Sequence, residues 1–140
     1  MIKFADICRR ENIVASVMIM TGGLIYILYR PQNLLLFRVT DNLGLTPYIE
    51  QLRDEVEGFY MPLFVINCLP AGLWAASYLT FMFISTRYHN RKTRLLLSLP
   101  LPVSAIILEF MQLIGWCPGT FDFFDILCYV IPMIIFIKNV

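Results

Sequence analysis

Residues 98–116 read SLPLPVSAIILEFMQLIGW, an apolar run in which the only charged side chain is that of Glu109. A helix that crosses a bilayer needs about 20 predominantly apolar residues. Extended back to Leu95, the run therefore predicts a transmembrane helix over residues 95–116. Glu109 is the first candidate for chemistry, because a carboxylate at this depth is costly and normally faces protein or a water-filled cavity.

The composition of the whole chain also indicates a membrane protein. Of the 140 residues, 59% are hydrophobic and 15% are charged, whereas soluble domains average about 45–50% and about 25%. A soluble chain of this length could not bury so much apolar surface. The formal net charge of +1 gives no reason to expect nucleic acid as a partner.

Three further apolar runs complete the prediction of four transmembrane helices, at residues 12–29, 59–85 and 123–137. No small-x-small cleavage site follows the first run, so it is predicted to be retained and not removed as a signal peptide. Its Gly22-Gly23 pair would permit close helix contact. The predicted fold class is an all-α, polytopic membrane protein with a single transmembrane domain over residues 1–140.

The external segment 46–58 is predicted to form a short amphipathic helix. Thr46 would cap it and Pro47 would occupy its first turn. Such a helix would lie at the outer interface, either as a plain connector or as a lid over a site.

The positions of the basic residues predict the orientation. Of the eleven lysines and arginines, all but Arg30, Arg38 and Arg53 lie before the first run, between the second and third, or after the fourth. Basic residues in short loops favour the cytoplasmic side. Both termini and the loop over residues 86–94 are therefore expected in the cytoplasm.

A ligand-binding site is predicted at the outer ends of the last two runs, from Glu109, Gln112, Asp122 and Asp125. Gln112 follows Glu109 by three residues and shares its helix face, and the two aspartates are spaced in the same way. The alternative for Asp122 is a structural role as the N-cap of the last helix.

The prolines of the third apolar run should kink the helix that this run forms. One face of that helix carries small and polar side chains and should therefore contact other helices. The residues of this stripe are Ser98, Pro102, Ala105, Glu109, Gln112 and Trp116.

Cysteine and histidine give no sign of a metal or cofactor. The four cysteines show no zinc-type spacing, and His89 is the only histidine. Cysteine in apolar runs usually behaves as a small hydrophobe. A disulfide between Cys117 and Cys128 is left open by the sequence.

The pattern Glu109-x-x-Gln112, a short turn, then Phe121-Asp122-x-x-Asp125 resembles the C-terminal signature of the VanZ-like membrane protein family. The resemblance covers about residues 95–137. It implies a small bacterial envelope protein that engages a lipid or lipid-linked envelope precursor. Members usually carry an arginine in the turn, whereas this chain has Pro118-Gly119-Thr120, which favours a cation, a proton or a hydroxyl-rich head group over an anion.

Two other functional classes compete with this one. The first is an accessory or scaffold subunit of a larger membrane complex, which the small size of the chain favours. The second is a membrane enzyme that uses the acids, but no histidine lies near them and no nucleophile–base pair is evident. No catalytic residue is assigned, and membrane lipid and other membrane protein subunits are the expected partners.

Overall fold

The fold is all-helical over the residues that the computed structural model describes, 4–32 and 35–140. The basic residue Lys3, which contributes to the predicted orientation, lies outside that part. The helices are α1 Phe4–Tyr29, α2 Leu35–Asn42, α3 Thr46–Glu55, α4 Leu63–Asn67, α5 Leu69–Ser85, α6 Arg91–Ser98, α7 Pro100–Leu113 and α8 Phe123–Asn139.

Much of the apolar surface of α1 faces outward. By length and composition, the described residues contain one helix that could cross a membrane by itself, Arg9–Tyr29, and a second if the bent pair α6–α7 is a single span. The apolar helix α5 is shorter. Only 11% of the most apolar part of α1 is buried, whereas the core helix of a soluble domain would be buried around most of its circumference.

The helix α5 lies at the centre and packs against α1 on one side and α8 on the other. It runs antiparallel to α1, as two contacts show. Ser77, at the middle of α5, donates from its Oγ to the carbonyl of Ala15, in the first half of α1, at 2.7 Å. Arg30, just beyond the end of α1, donates from its Nη2 to the carbonyl of Asn67, just before the start of α5, at 2.8 Å. Helix α5 runs parallel to α8, against which it places Gly72 beside Cys128. The start of α1 and the ends of α5 and α8 therefore lie at one end of the bundle.

Of the two glycines in α1, only Gly22 lies at a close helix contact. A Cβ built on Gly22 would lie 2.8 Å from Nε1 of Trp74 and 3.1 Å from the carbonyl oxygen of Pro70, whereas nothing lies within 4 Å of a Cβ on Gly23. Gly22 thus serves packing within the chain, between α1 and α5, and Gly23 takes no part in that contact.

Prolines divide two of the predicted spans. The predicted helix over 59–85 begins only at Leu63 and is interrupted at Cys68, because Pro70 has no N–H and its ring excludes a regular preceding turn. The predicted helix over 95–116 is two helices, α6 and α7, which meet at Leu99 with a bend of 43°. The kink expected from the prolines is therefore confirmed, but the continuous helices are not.

The basic segment before the third run is also helical and not a loop. Helix α6 begins at Arg91, where the side chain of Asn90 accepts a hydrogen bond from the N–H of Thr93 at 2.9 Å. Asparagine is among the best N-cap residues, so the start of α6 lies four residues before the predicted start at Leu95.

The external segment contains two short helices, of which α2 was not predicted. The prediction that Thr46 caps α3 is wrong: the N-cap is Leu45, and no side chain caps the helix. The Thr46 hydroxyl instead donates to Oδ1 of Asp41 at 3.1 Å, since the intervening turn with Gly44 at φ 68° brings the end of α2 back to it. Helix α3 ends at Glu55, three residues earlier than predicted.

One arginine fastens the external segment to the bundle. Arg53 of α3 donates hydrogen bonds of 2.6–2.8 Å to the carbonyls of Ile27, in the last turn of α1, and Arg30, just beyond it, where the carbonyls lack partners within the helix. Burial lowers the pKa of Arg53, and the carboxylate of Glu50 opposes this shift. Because arginine stays charged near neutral pH, these hydrogen bonds are charge-assisted.

Candidate functional site

Glu109 lies on the buried stripe of α7. Burial follows the predicted stripe at Ser98, Pro102 and Glu109, and the glutamate is only 8% exposed. Trp116 departs from the stripe and is 76% exposed. The reason is that α7 ends at Leu113 and the chain turns at Gly115, whose φ of 73° suits glycine.

Gln112 packs against the turn that leads to α8. A Cβ on Gly119 would lie 2.8–3.0 Å from the side-chain amide atoms of Gln112, and the φ of this glycine is 137°. Only glycine accommodates both the backbone angle and the close contact. Gln112 therefore lies at the edge of the candidate site, in contact with the turn.

Asp122 begins α8 as its N-cap. Its Oδ1 accepts a hydrogen bond from the N–H of Phe124 at 2.9 Å, so the structural role proposed for this residue is confirmed. Its own N–H points at Glu109, whose Oε2 lies 3.5 Å from the nitrogen. This contact is longer than a typical N–H···O hydrogen bond, but it brings carboxylates from α7 and α8 to one place.

Cys68, at the break between α4 and α5, contacts the same group of carboxylates. Its Sγ lies 3.5 Å from Oδ2 of Asp122, and the thiol also interacts with Asp125, one helical turn further along α8. Cys68 is 1% exposed. No sequence pattern indicated this contact, because it depends on the parallel packing of α5 and α8.

Arg30, just beyond α1, is a basic residue within electrostatic range of these carboxylates. It interacts electrostatically with Asp125, but its Nη2 donates to the carbonyl of Asn67 and its Nε is buried without a partner. Oδ1 of Asp125 is likewise buried without a partner. No pattern in the sequence singled out Arg30 for this position.

Glu109, Asp122 and Asp125, here called the acidic cluster, thus lie together near one end of the described bundle. None of the three forms an ion pair with a described lysine or arginine. Carboxylates so close to one another are unfavourable unless protons, cations or hydrogen-bond donors bind them. Such an arrangement can bind a cation, take up a proton or accept hydrogen bonds from hydroxyl groups.

Neither metal binding nor a disulfide is indicated by the described part of the chain. No group of three histidine, cysteine or acidic residues there is arranged to hold a metal ion. Cys68, Cys117 and Cys128 are all free thiols. Two cavities lie away from the acidic cluster, one between α2 and α3 and the other along α5.

Comparisons with known proteins do not assign the chain to a family. No protein-family model, no curated protein and no solved structure matches it.

Proposed function

We propose that this chain is a VanZ-like integral membrane protein of the bacterial cytoplasmic membrane with both termini in the cytoplasm. Its four spans would be α1, the broken segment α4–α5, the bent segment α6–α7, and α8. The outward apolar surface of α1 supports this proposal, since side chains such as Met20, 65% exposed, and Val17, 57% exposed, need an apolar environment.

The distribution of charge supports the orientation. The packing of α1, α5 and α8 brings Arg9, Arg91 and Lys138 toward one end of the bundle, and the acidic cluster lies toward the other. Bilayer proteins keep lysine and arginine on the cytoplasmic side. The acidic cluster would then lie near the outer face of the membrane.

We further propose that the acidic cluster and Gln112 engage the polar head group of a lipid or a lipid-linked envelope precursor. The observation that carries this proposal is the convergence of Glu109 and Asp122 from different helices, with Asp125 beside them and without an ion-pair partner. A head group rich in hydroxyl or ammonium groups would supply the donors that these carboxylates lack.

Native mass spectrometry in mild detergent tests the proposal. The wild-type protein is compared with a variant that carries Glu109→Gln, Asp122→Asn and Asp125→Asn, in which asparagine preserves the N-cap. The control variant, Asp54→Asn, Glu55→Gln and Glu57→Gln, removes the same charge from exposed external positions. Circular dichroism establishes that all three proteins have the same helix content.

The expected result is a lipid-sized adduct on the wild type and the control that is absent from the acidic-cluster variant. The mass of the adduct would identify the class of head group. The same adducts on all three proteins would refute the proposal. A stable protein partner on the wild type, with no adduct that depends on the acids, would instead support an accessory subunit.

A further inference from the structure

An apolar groove of about 480 Å³ runs along α5 between α1 and α8. Its walls are mainly aliphatic and include Met18 of α1, Ala76 and Leu79 of α5, and Ile131 and Ile135 of α8. Glu11 and Asn139, near the start of α1 and the end of α8, also line it. The groove therefore occupies the half of the bundle opposite the acidic cluster.

Phe83 joins this groove to a basic surface. Its ring lines the groove, and the guanidinium carbon of Arg94 lies 4.7 Å from the centre of that ring. Arg94 Nη2 donates to the carbonyl of Phe83 at 3.2 Å, while its Nε is buried without a partner. Arg91 and Lys92 are exposed in the same first turn of α6.

Little negative charge balances this surface. The sequence contains no aspartate or glutamate between Glu57 and Glu109, and the first turn of α6 contains none. The positive end of the helix dipole also lies at the N-terminus of α6, and it adds to the positive potential of these basic residues. Among the side chains that the structure describes, Glu11 is the one carboxylate that lines the groove. An anion near the basic residues of α6 would therefore be bound favourably.

We propose that the groove holds an acyl chain of an anionic phospholipid from the cytoplasmic leaflet, with the phosphate bound by the basic residues of α6. The size of the groove favours an acyl chain over a partner helix. A helix is about 10–12 Å wide, so about 480 Å³ would accommodate only about one of its turns. This inference rests on the membrane orientation proposed above and does not depend on the acidic cluster.

The test is competition between two lipids with identical chains, phosphatidylglycerol and phosphatidylcholine, offered in equal amounts to the detergent-purified protein. Native mass spectrometry measures the ratio of the two adducts. Arg94→Gln removes the charge beside Phe83, and Arg38→Gln is its control on the exposed, external helix α2. Ala76→Leu fills the groove, and Ser16→Leu is its control, which places the same side chain at an exposed position of α1.

The wild type should retain phosphatidylglycerol in preference to phosphatidylcholine. Arg94→Gln should lower this preference about five-fold, the effect of one basic residue near an anionic surface. Ala76→Leu should lower the retention of both lipids, and neither control should change either quantity. Because Arg94 also bonds to the backbone, a second variant carries Arg91→Gln and Lys92→Gln and leaves that bond intact. It removes two basic residues and should therefore lower the preference by up to about 25-fold.

An equal retention of the two lipids by the wild type would overturn the proposal. So would an unchanged preference in both basic variants, or unchanged retention in Ala76→Leu. The acidic-cluster variant should keep the phosphatidylglycerol adduct, so that failure here and failure of the proposed head-group site give different results.

Discussion

The close contact at Gly22 predicts different effects of one substitution at two adjacent positions. In Gly22→Ala, the new methyl group would lie 2.8 Å from the indole nitrogen of Trp74 and 3.1 Å from the carbonyl oxygen of Pro70. The indole also packs against Tyr26, with ring centroids 5.4 Å apart, so a shift of the indole would disturb that contact. The carbonyl is part of α5 and could move only with the helix. Overpacking of this kind costs about 1–3 kcal/mol.

Gly23→Ala is the matched control, because nothing lies within 4 Å of its new methyl group. Both substitutions gain the same helix preference of alanine over glycine, about 0.5–1 kcal/mol. That gain cancels in the comparison, so the difference between the free energies of unfolding of the two variants is the overpacking cost of about 1–3 kcal/mol. Gly23→Ala should be at least as stable as the wild type, and Gly22→Ala less stable than Gly23→Ala.

The assay is unfolding by sodium dodecyl sulfate in mixed micelles, followed by circular dichroism and by tryptophan fluorescence. A gap of this size corresponds to about a 5- to 150-fold difference in the unfolding constant. Indistinguishable curves for the two variants would show that α1 and α5 do not meet at Gly22, and the arrangement of all four predicted spans would then need revision.

Three further predictions concern other contacts of the described bundle. Gly72→Ala should lose about 1–3 kcal/mol to overpacking, because its methyl group would lie 2.9 Å from Cβ of Cys128, and regain about 0.5–1 kcal/mol of helix preference; a variant more stable than the wild type in the same unfolding assay would contradict the α5–α8 packing. Asp122→Ala should destabilise the protein by about 0.5–2 kcal/mol through loss of the N-cap, whereas Asp122→Asn should lose much less; equal losses in the two variants would argue against the cap. Arg53→Gln should speed hydrogen exchange in α3, since the hydrogen bonds to the carbonyls of Ile27 and Arg30 fasten that helix, and an unchanged exchange rate would show that other contacts hold it.

The local features of the candidate site could be predicted from the sequence. Glu109 is expected on a buried stripe because the 3.6-residue period places it with Ser98 and Pro102, and their burial confirms this expectation. Asp122 is a candidate N-cap because aspartate favours that position, and it caps α8. Both predictions depend on residues within one helix or at its end.

The missed features depend on contacts between distant parts of the chain or on competing local bonds. Cys68 reaches Asp122 across 54 positions of sequence, which only the parallel packing of α5 and α8 brings about. The break at Cys68 itself was missed because a proline in a membrane helix is often tolerated when neighbouring groups satisfy the freed carbonyls. Thr46 has a good capping hydroxyl, but Asp41 competes for it successfully.

The hydrogen bonds of the nearby arginines explain why no ion pair forms at the acidic cluster among the described residues. Arg53 directs its side-chain hydrogen bonds to the carbonyls at the end of α1, and Arg30 donates to the carbonyl of Asn67. Arginine can satisfy several acceptors at once, yet neither residue forms an ion pair with a carboxylate of the cluster. The two guanidinium groups thus hold α3, α1 and α4 together, and Arg30 interacts with Asp125 electrostatically, without a hydrogen bond.

A phosphate that approached this end would meet three carboxylates and only one arginine within electrostatic range of Asp125. A ligand that offers hydroxyl or ammonium donors would instead find acceptors without a competing ion pair. The two proposed sites therefore carry opposite charge: basic side chains begin α6 at one end of the bundle, and the three carboxylates of the acidic cluster lie at the other.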